Sequence, residues 1–227
     1  MAEPGGPGMG IAPAGVYDLA LAGLRPVRGL KILDVPCASG GFAAQLESEG
    51  ATCVAADLAA AMRHQPAVVL DMNRSLPFPD GAFDAVTCLE GIEHTHDPRA
   101  LIREFHRLLR PGGRLVLSTP NIHNLRSRIK FALRGTLFWF DPREVTGIGH
   151  VTVIPYFILK HLLAEAGFSN LVVQTNGSVR PSVPCWLAGV MQRVFSKPTE
   201  TDQELNSPML LNGESLIWFA QKTGNRG

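Results

Sequence analysis

The chain is short of cysteine, of aromatic residues, of long apolar runs and of net charge. Its four cysteines, Cys37, Cys53, Cys88 and Cys185, form no C-x-x-C pair and sit in no secretory pattern. Three of them lie in or beside strand-like runs, where a free thiol behaves as a small hydrophobe. A reducing, cytoplasmic setting is expected. No run approaches the ~18 consecutive apolar residues of a membrane-spanning helix. With 21 basic and 20 acidic residues the formal charge is +1, so no global field draws the chain to nucleic acid or to an acidic membrane. The first ten residues, MAEPGGPGMG, have neither a charged n-region nor an apolar core. They read as neither a signal peptide nor a span, and their Gly and Pro content predicts a disordered tail over 1–14. No internal repeat and no second domain are found.

What remains is an ordinary globular composition of 227 residues, 45% hydrophobic and 18% charged, enough for one α/β domain over 15–227. Strand-like and helix-like patterns alternate. Strands are expected at 31–35, 52–56, 67–70, 83–89 and 114–119, with two last ones at 171–175 and 214–221. Helices are expected at 16–24, 42–48, 58–63, from Asp97-Pro98 to the Pro111-Gly112-Gly113 stop, and at 155–166. Asp97 is a good N-cap and Pro98 a good first helical residue. The β-α alternation predicts a mostly parallel sheet with helices on both faces. The connection over 176–213 is long for a hairpin and reads as an insertion. It carries an apolar amphipathic piece at 185–195.

Acidic residues close successive strands. Asp34 ends the first, and a tight small-residue turn, 35–40, opens a helix after it. Such a turn lets backbone approach a ligand and aims helix N–H groups at it. Asp57 ends the second strand, where dinucleotide folds place a ribose-binding acid, and Asp71 ends the third. After the fourth strand comes Glu90-Gly91-Ile92-Glu93-His94. On a helical turn, positions i, i+3 and i+4 share one face, so two carboxylates and an imidazole there could hold a divalent cation.

These stretches resemble class I S-adenosylmethionine-dependent methyltransferases. Residues 32–40, Ile-Leu-Asp-Val-Pro-Cys-Ala-Ser-Gly, look like their first motif, with Pro36 and Ala38 where glycines are usual. Residues 109–115, with Pro111-Gly112-Gly113, are similar to the turn before their fifth strand. The resemblance covers roughly 15–175 and a last strand near 216–220. It implies a Rossmann-like, doubly wound seven-stranded sheet, mostly parallel with an antiparallel last strand. It also implies a cofactor site at Asp34, Pro36, Ala38, Gly40, Asp57, Leu58, Asp71, Met72 and Leu89. Glu-x-x-Glu-His resembles the divalent-metal motif of the ubiquinone-pathway O-methyltransferases. It is also similar to the motif of small-RNA 2′-O-methyltransferases, where a later histidine completes the site. His150 is the candidate for that role. Glu90, Glu93, His94 and His150 are therefore expected to hold Mg²⁺, Mn²⁺ or Zn²⁺, with Glu93, His94 and His150 acting on the acceptor.

The sulfonium methyl of S-adenosylmethionine is already activated, so transfer mostly needs alignment. A hydroxyl acceptor must also lose a proton, and a cation lowers that pKa. This favours O-methylation of a small molecule such as a catechol, diol, sugar or natural product. Without metal, His94 or His150 would serve as general base. An RNA 2′-hydroxyl acceptor fits the near-neutral charge poorly. A nicotinamide oxidoreductase would lack its full glycine motif, and a non-catalytic binding protein would explain the altered turn. The segment 121–150 is expected to cover the acceptor. Its cations, Arg126, Arg128, Lys130 and Arg134, precede Leu137-Phe138-Trp139-Phe140. Peripheral membrane contact is considered for 126–140 and for 185–195. Sequence leaves the oligomeric state open.

Overall fold

The computed structural model describes residues 12–58, 67–177 and 204–224. Seven strands form one sheet in the order β3-β2-β1-β4-β5-β7-β6. They are β1 (Lys31–Asp34), β2 (Thr52–Asp57), β3 (Ala67–Val69), β4 (Phe83–Cys88), β5 (Leu109–Pro120), β6 (Phe168–Thr175) and β7 (Ser215–Lys222). β1 to β5 pair in parallel, while β7 runs antiparallel to both β5 and β6. This is the expected mostly parallel Rossmann-like sheet with an antiparallel last strand.

Alternation along each strand builds two cores. On one face Leu33, Val86, Leu117 and Trp218 pack with α3 (Pro98–Leu108) and α5 (Tyr156–Glu165). On the other, Ile32, Ala85, Val116 and Ile217 pack with α1 (Val16–Leu24) and α2 (Gly41–Ser48). Neighbouring residues of one strand thus serve opposite faces, as the two-residue strand period requires. In α3 the spacing of Leu101, Ile102, Phe105 and Leu108 buries one stripe. Its start is fixed by Asp97, whose carboxylate accepts from Ala100 N at 3.0 Å.

Three differences from the sequence reading exceed a residue or two. β5 begins at Leu109, which faces Phe83; the ladder resumes only where Arg114 faces Ala85, so 110–113 loop out of a strand that continues past them. Gly112 takes φ +75° in that loop, which glycine accepts without strain. β6 starts at Phe168 rather than 171, because Asn170 at φ +52° breaks the register between Ser169 and Val172. Within 176–213 a short helix, α6 (Pro208–Leu211), is capped by Ser207. The expected helix over 58–63 and the amphipathic piece at 185–195 lie outside the described residues, apart from Leu58. Among the described residues no helix is long and apolar enough to cross a membrane.

Candidate active site

The carboxyl ends of β1, β2 and β4 meet at one rim, and the turn after β1 is its floor. Asp34 is buried there. Thr87 on β4 donates to its Oδ1 at 2.7 Å, while Oδ2 has no partner. Burial pushes its carboxyl up to about 7, against the Thr87 hydrogen bond that favours the ionised form. Cys37 N donates to Ala56 O at 2.9 Å, and Ala38 N donates to Asp57 Oδ2 at 2.8 Å. These two bonds tie the turn to the end of β2. Ala38 itself sits at φ +48°. Gly40, at φ +83°, opens α2 without a side-chain cap, so the first N–H groups of that helix stay available to a ligand. Leu58, next to Asp57, is 70% exposed, whereas Leu89 is buried. Asp71 accepts from Asn73 N at 2.9 Å, a bond that holds its carboxyl below the usual range. Met72 is half-buried beside it.

The turn after β4 lies directly on that floor. A Cβ on Gly91 would fall 2.2 Å from Pro36 Cδ, so glycine is what allows the two loops to touch. The expected helical face of Glu90, Glu93 and His94 does not form. Glu90 has φ +49° and lies outside the 3-10 turn Ile92–His94, and its carboxylate bonds Ser118 rather than joining the other two. Glu90 N donates to Ser118 Oγ at 2.9 Å, and that hydroxyl donates back to Glu90 Oε1 at 2.7 Å. Burial pushes the Glu90 carboxyl up to about 7.

Glu93 is fully buried, and neither carboxylate oxygen has a hydrogen-bond partner. Burial first, then the neighbouring Glu90, raises its carboxyl well above the ordinary value, against smaller opposing influences of its own backbone N–H and the nearby Thr119 hydroxyl, neither of which makes a well-formed hydrogen bond to it. Its backbone carbonyl accepts from both Val151 N and Thr152 N at 3.0 Å, and this pair of bonds brings in the later histidine. His150 is 8% exposed. Its Nδ1 lies 2.8 Å from Trp139 O, and His94 Nδ1 lies 3.1 Å from Gly149 O. A carbonyl can only accept, so each Nδ1 carries a proton, which leaves Nε2 as the ring nitrogen a ligand would meet. The two rings are 4.9 Å apart. One ligand atom from each of Glu93, His94 and His150 lies within 4.8 Å of the others. Desolvation, followed by His150, lowers the His94 pKa, which favours the neutral imidazole.

Over this cluster the segment after β5 folds back. It holds α4 (Leu125–Arg134) and a π-helical turn, Glu144–Ile148. Phe138, Trp139 and Phe140 are half-buried between them, and the Phe140 ring lies 5.5 Å from His150. Lys130 Nζ bonds Leu137 O and Asp141, both at 3.1 Å, and Arg126 lies 4.5 Å over the Phe138 ring. Sequence reasoning missed Thr87, Ser118 and the carbonyls of Trp139 and Gly149. Thr87 and Ser118 were visible as hydroxyls near the ends of apolar strands that nothing else explained. The carbonyls left no signal, because every residue has one.

The methyltransferase-domain family matches residues 16–173. A demethylmenaquinone methyltransferase of Mycolicibacterium paratuberculosis is 43% identical over 102 residues, covering 41% of this chain and 44% of that protein. A ubiquinone biosynthesis O-methyltransferase of Pseudomonas aeruginosa is 39% identical over 108 residues, 41% of this chain and 45% of that protein. The matches thus span a little under half the length of these relatives. A solved S-adenosylmethionine-dependent methyltransferase from Archaeoglobus fulgidus superposes with a TM-score of 0.61 at 20% identity, over 91% of both chains. At that identity the likeness is one of fold.

Proposed function

The chain belongs to the methyltransferase-domain family, and from that premise we propose that it moves a methyl group from S-adenosylmethionine to a hydroxyl of a small molecule, assisted by a divalent cation on Glu93, His94 and His150. The observation that carries the cation is Glu93, a buried carboxylate without a hydrogen-bond partner. Such a group is costly unless something pairs with it. A divalent ion held by Glu93, His94 and His150 would offset that cost. The donor set of two imidazoles and one carboxylate suits Mn²⁺ or Zn²⁺ better than Mg²⁺, which prefers oxygen ligands. Glu90, occupied with Ser118, is left out of the coordinating set.

The turn after β1 fits the methyl donor. Asp34 Oδ2 is an unpartnered buried acceptor, and the uncapped start of α2 offers N–H groups. Asp57 would take the ribose hydroxyls. Asp71 and Met72 would meet the adenine, with Leu58 and Leu89 on either side. Pro36 and Ala38 would shape the floor. When bound, the donor supplies an activated methyl and the cation an acidified hydroxyl. The chain supplies alignment: the Gly91 contact sets the acceptor cluster against the donor turn.

The proposed acceptor is a phenolic or vicinal-diol hydroxyl. Two of the similar proteins are named for ubiquinone and demethylmenaquinone, and the half-buried Phe140 ring 5.5 Å from His150 suits a planar molecule. A second reading keeps the site without a cation: His94, held neutral by burial, takes the hydroxyl proton at Nε2. Calorimetric titration with Mg²⁺, Mn²⁺ and Zn²⁺ separates the two. Binding to wild type and to Glu90→Ala, with loss in His150→Ala, supports the cation. Equal binding by wild type and a Glu93→Ala, His150→Ala double variant removes it.

A further inference from the structure

Helix α4 is built inside out. Its one buried residue is Ser127, whose hydroxyl accepts from Phe138 N at 2.9 Å. Arg128 also turns inward, donating to His123 O, Asn206 Oδ1 and Leu205 O. Lys130 does the same toward Leu137 O and Asp141. The apolar residues of the helix go outward instead: Ile129, Phe131 and Leu133 are 48%, 56% and 78% exposed. A surface helix normally does the reverse.

The pattern continues past the helix. Val145, Ile148, Val151, Val153, Phe157 and Ile158 are exposed as well. From 125 to 160 every exposed charged residue is basic: Arg126, Arg134, Arg143 and Lys160. The two acids of this stretch, Asp141 and Glu144, are half-buried and engaged: Asp141 pairs with Lys130, and Glu144 accepts from Asp141 N. Arg126 pairs with Glu214 and Lys160 with Glu204, whereas Arg134 and Arg143 have no acidic partner among the described residues. In a chain of formal charge +1 this is a local concentration of cations. β6 runs parallel to β5, since both oppose β7. α5 therefore begins at the same carboxyl rim as α4, and the apolar stretch borders His150.

We infer that this rim, carried by α4 and residues 142–158, is a docking face for the surface of an anionic phospholipid bilayer. Exposed apolar side chains set among arginines suit the headgroup boundary, with cations at phosphates and Ile129, Phe131 and Leu133 at the acyl edge. A second copy of the chain fits less well, because a two-fold pairing of this face sets Arg134 and Arg143 against their own kind. The inference rests on exposure and charge, not on the cation or the methyl donor.

Co-sedimentation of the full chain with vesicles tests it. Wild type is expected to pellet with phosphatidylcholine vesicles that contain phosphatidylglycerol, to stay in solution with phosphatidylcholine alone, and to be released by high salt. A Phe131→Ser, Leu133→Ser variant and an Arg134→Ser, Arg143→Ser variant should each lose about tenfold in partitioning. Both should keep the wild-type circular dichroism, since all four residues are exposed. Wild type left in solution with either vesicle, or variants that pellet like wild type, overturns the inference. So does a wild-type dimer that Phe131→Ser, Leu133→Ser makes monomeric without changing vesicle binding.

Discussion

Replacing Glu93 by Gln separates the cost of a buried charge from its use. The exchange keeps size and shape but removes a carboxyl that is fully buried and held by no well-formed hydrogen bond. In EDTA the variant should melt at the wild-type temperature or above it, because the buried carboxyl must either take up a proton or stay ionised beside Glu90 with no cationic partner. With a cation the order should reverse. A ligand at 100 times its dissociation constant stabilises a native state by about 2.7 kcal/mol. For a domain of this size that is roughly 5–10 °C in Tm. Wild type should gain that shift with Mn²⁺ or Zn²⁺ and lose it to EDTA, whereas Glu93→Gln should gain almost none. Differential scanning fluorimetry at several cation concentrations reads both quantities. A wild type that shifts with none of Mg²⁺, Mn²⁺ or Zn²⁺ at millimolar levels refutes the reasoning. A Glu93→Gln variant that shifts as far as wild type refutes it equally.

Three further outcomes follow from the same structure. Asp34 has its carboxyl raised from 3.8 to about 7, so the native state holds a proton there that the unfolded chain has lost. Its contribution is fully present below pH ~4 and disappears as the pH rises toward 7. Asp34→Asn should therefore flatten the fall in stability over that window, by an order of magnitude of 4 kcal/mol at full burial; parallel urea midpoints for the two proteins across pH 4–7 would count against it. Phe105→Ala, at a fully buried α3 position, should cost about 3–5 kcal/mol in urea unfolding, and a loss below 1 kcal/mol would mean that the α3 face packs loosely. Gly91→Ala puts a methyl 2.2 Å from Pro36 Cδ and should weaken S-adenosylhomocysteine and cation binding together, whereas unchanged affinity for both would show that the two loops move independently.

The order of the fold was legible where residue type and period carry the information. Ile32 and Leu33, or Ala85 and Val86, serve opposite cores, which a two-residue period makes readable. Asp97-Pro98 announced the start of α3, and the acids Asp34 and Asp57 closed two strands on one rim, with Asp71 two residues beyond the third. His150 was readable as a histidine after Gly147-Ile148-Gly149 and before the helix expected at 155–166, and its bond to Trp139 O explains how it is oriented. What stayed hidden depends on backbone dihedrals. Glu90 at φ +49° defeats the i, i+3, i+4 argument, which assumes a helix through Glu90. Asn170 at φ +52° hides the start of β6 in the same way. The inverted face of α4 was also hidden, since the sequence shows cations and apolar residues mixed but not which of them Asn206, Leu205 and Asp141 would hold inside.

The most direct test of the account is calorimetric titration of the wild-type chain and of Asp57→Ala with S-adenosylhomocysteine, with NAD as the control. The account predicts saturable one-to-one binding to wild type, clear weakening in Asp57→Ala, and no heat with NAD. No binding at millimolar S-adenosylhomocysteine, or preference for NAD, would contradict it.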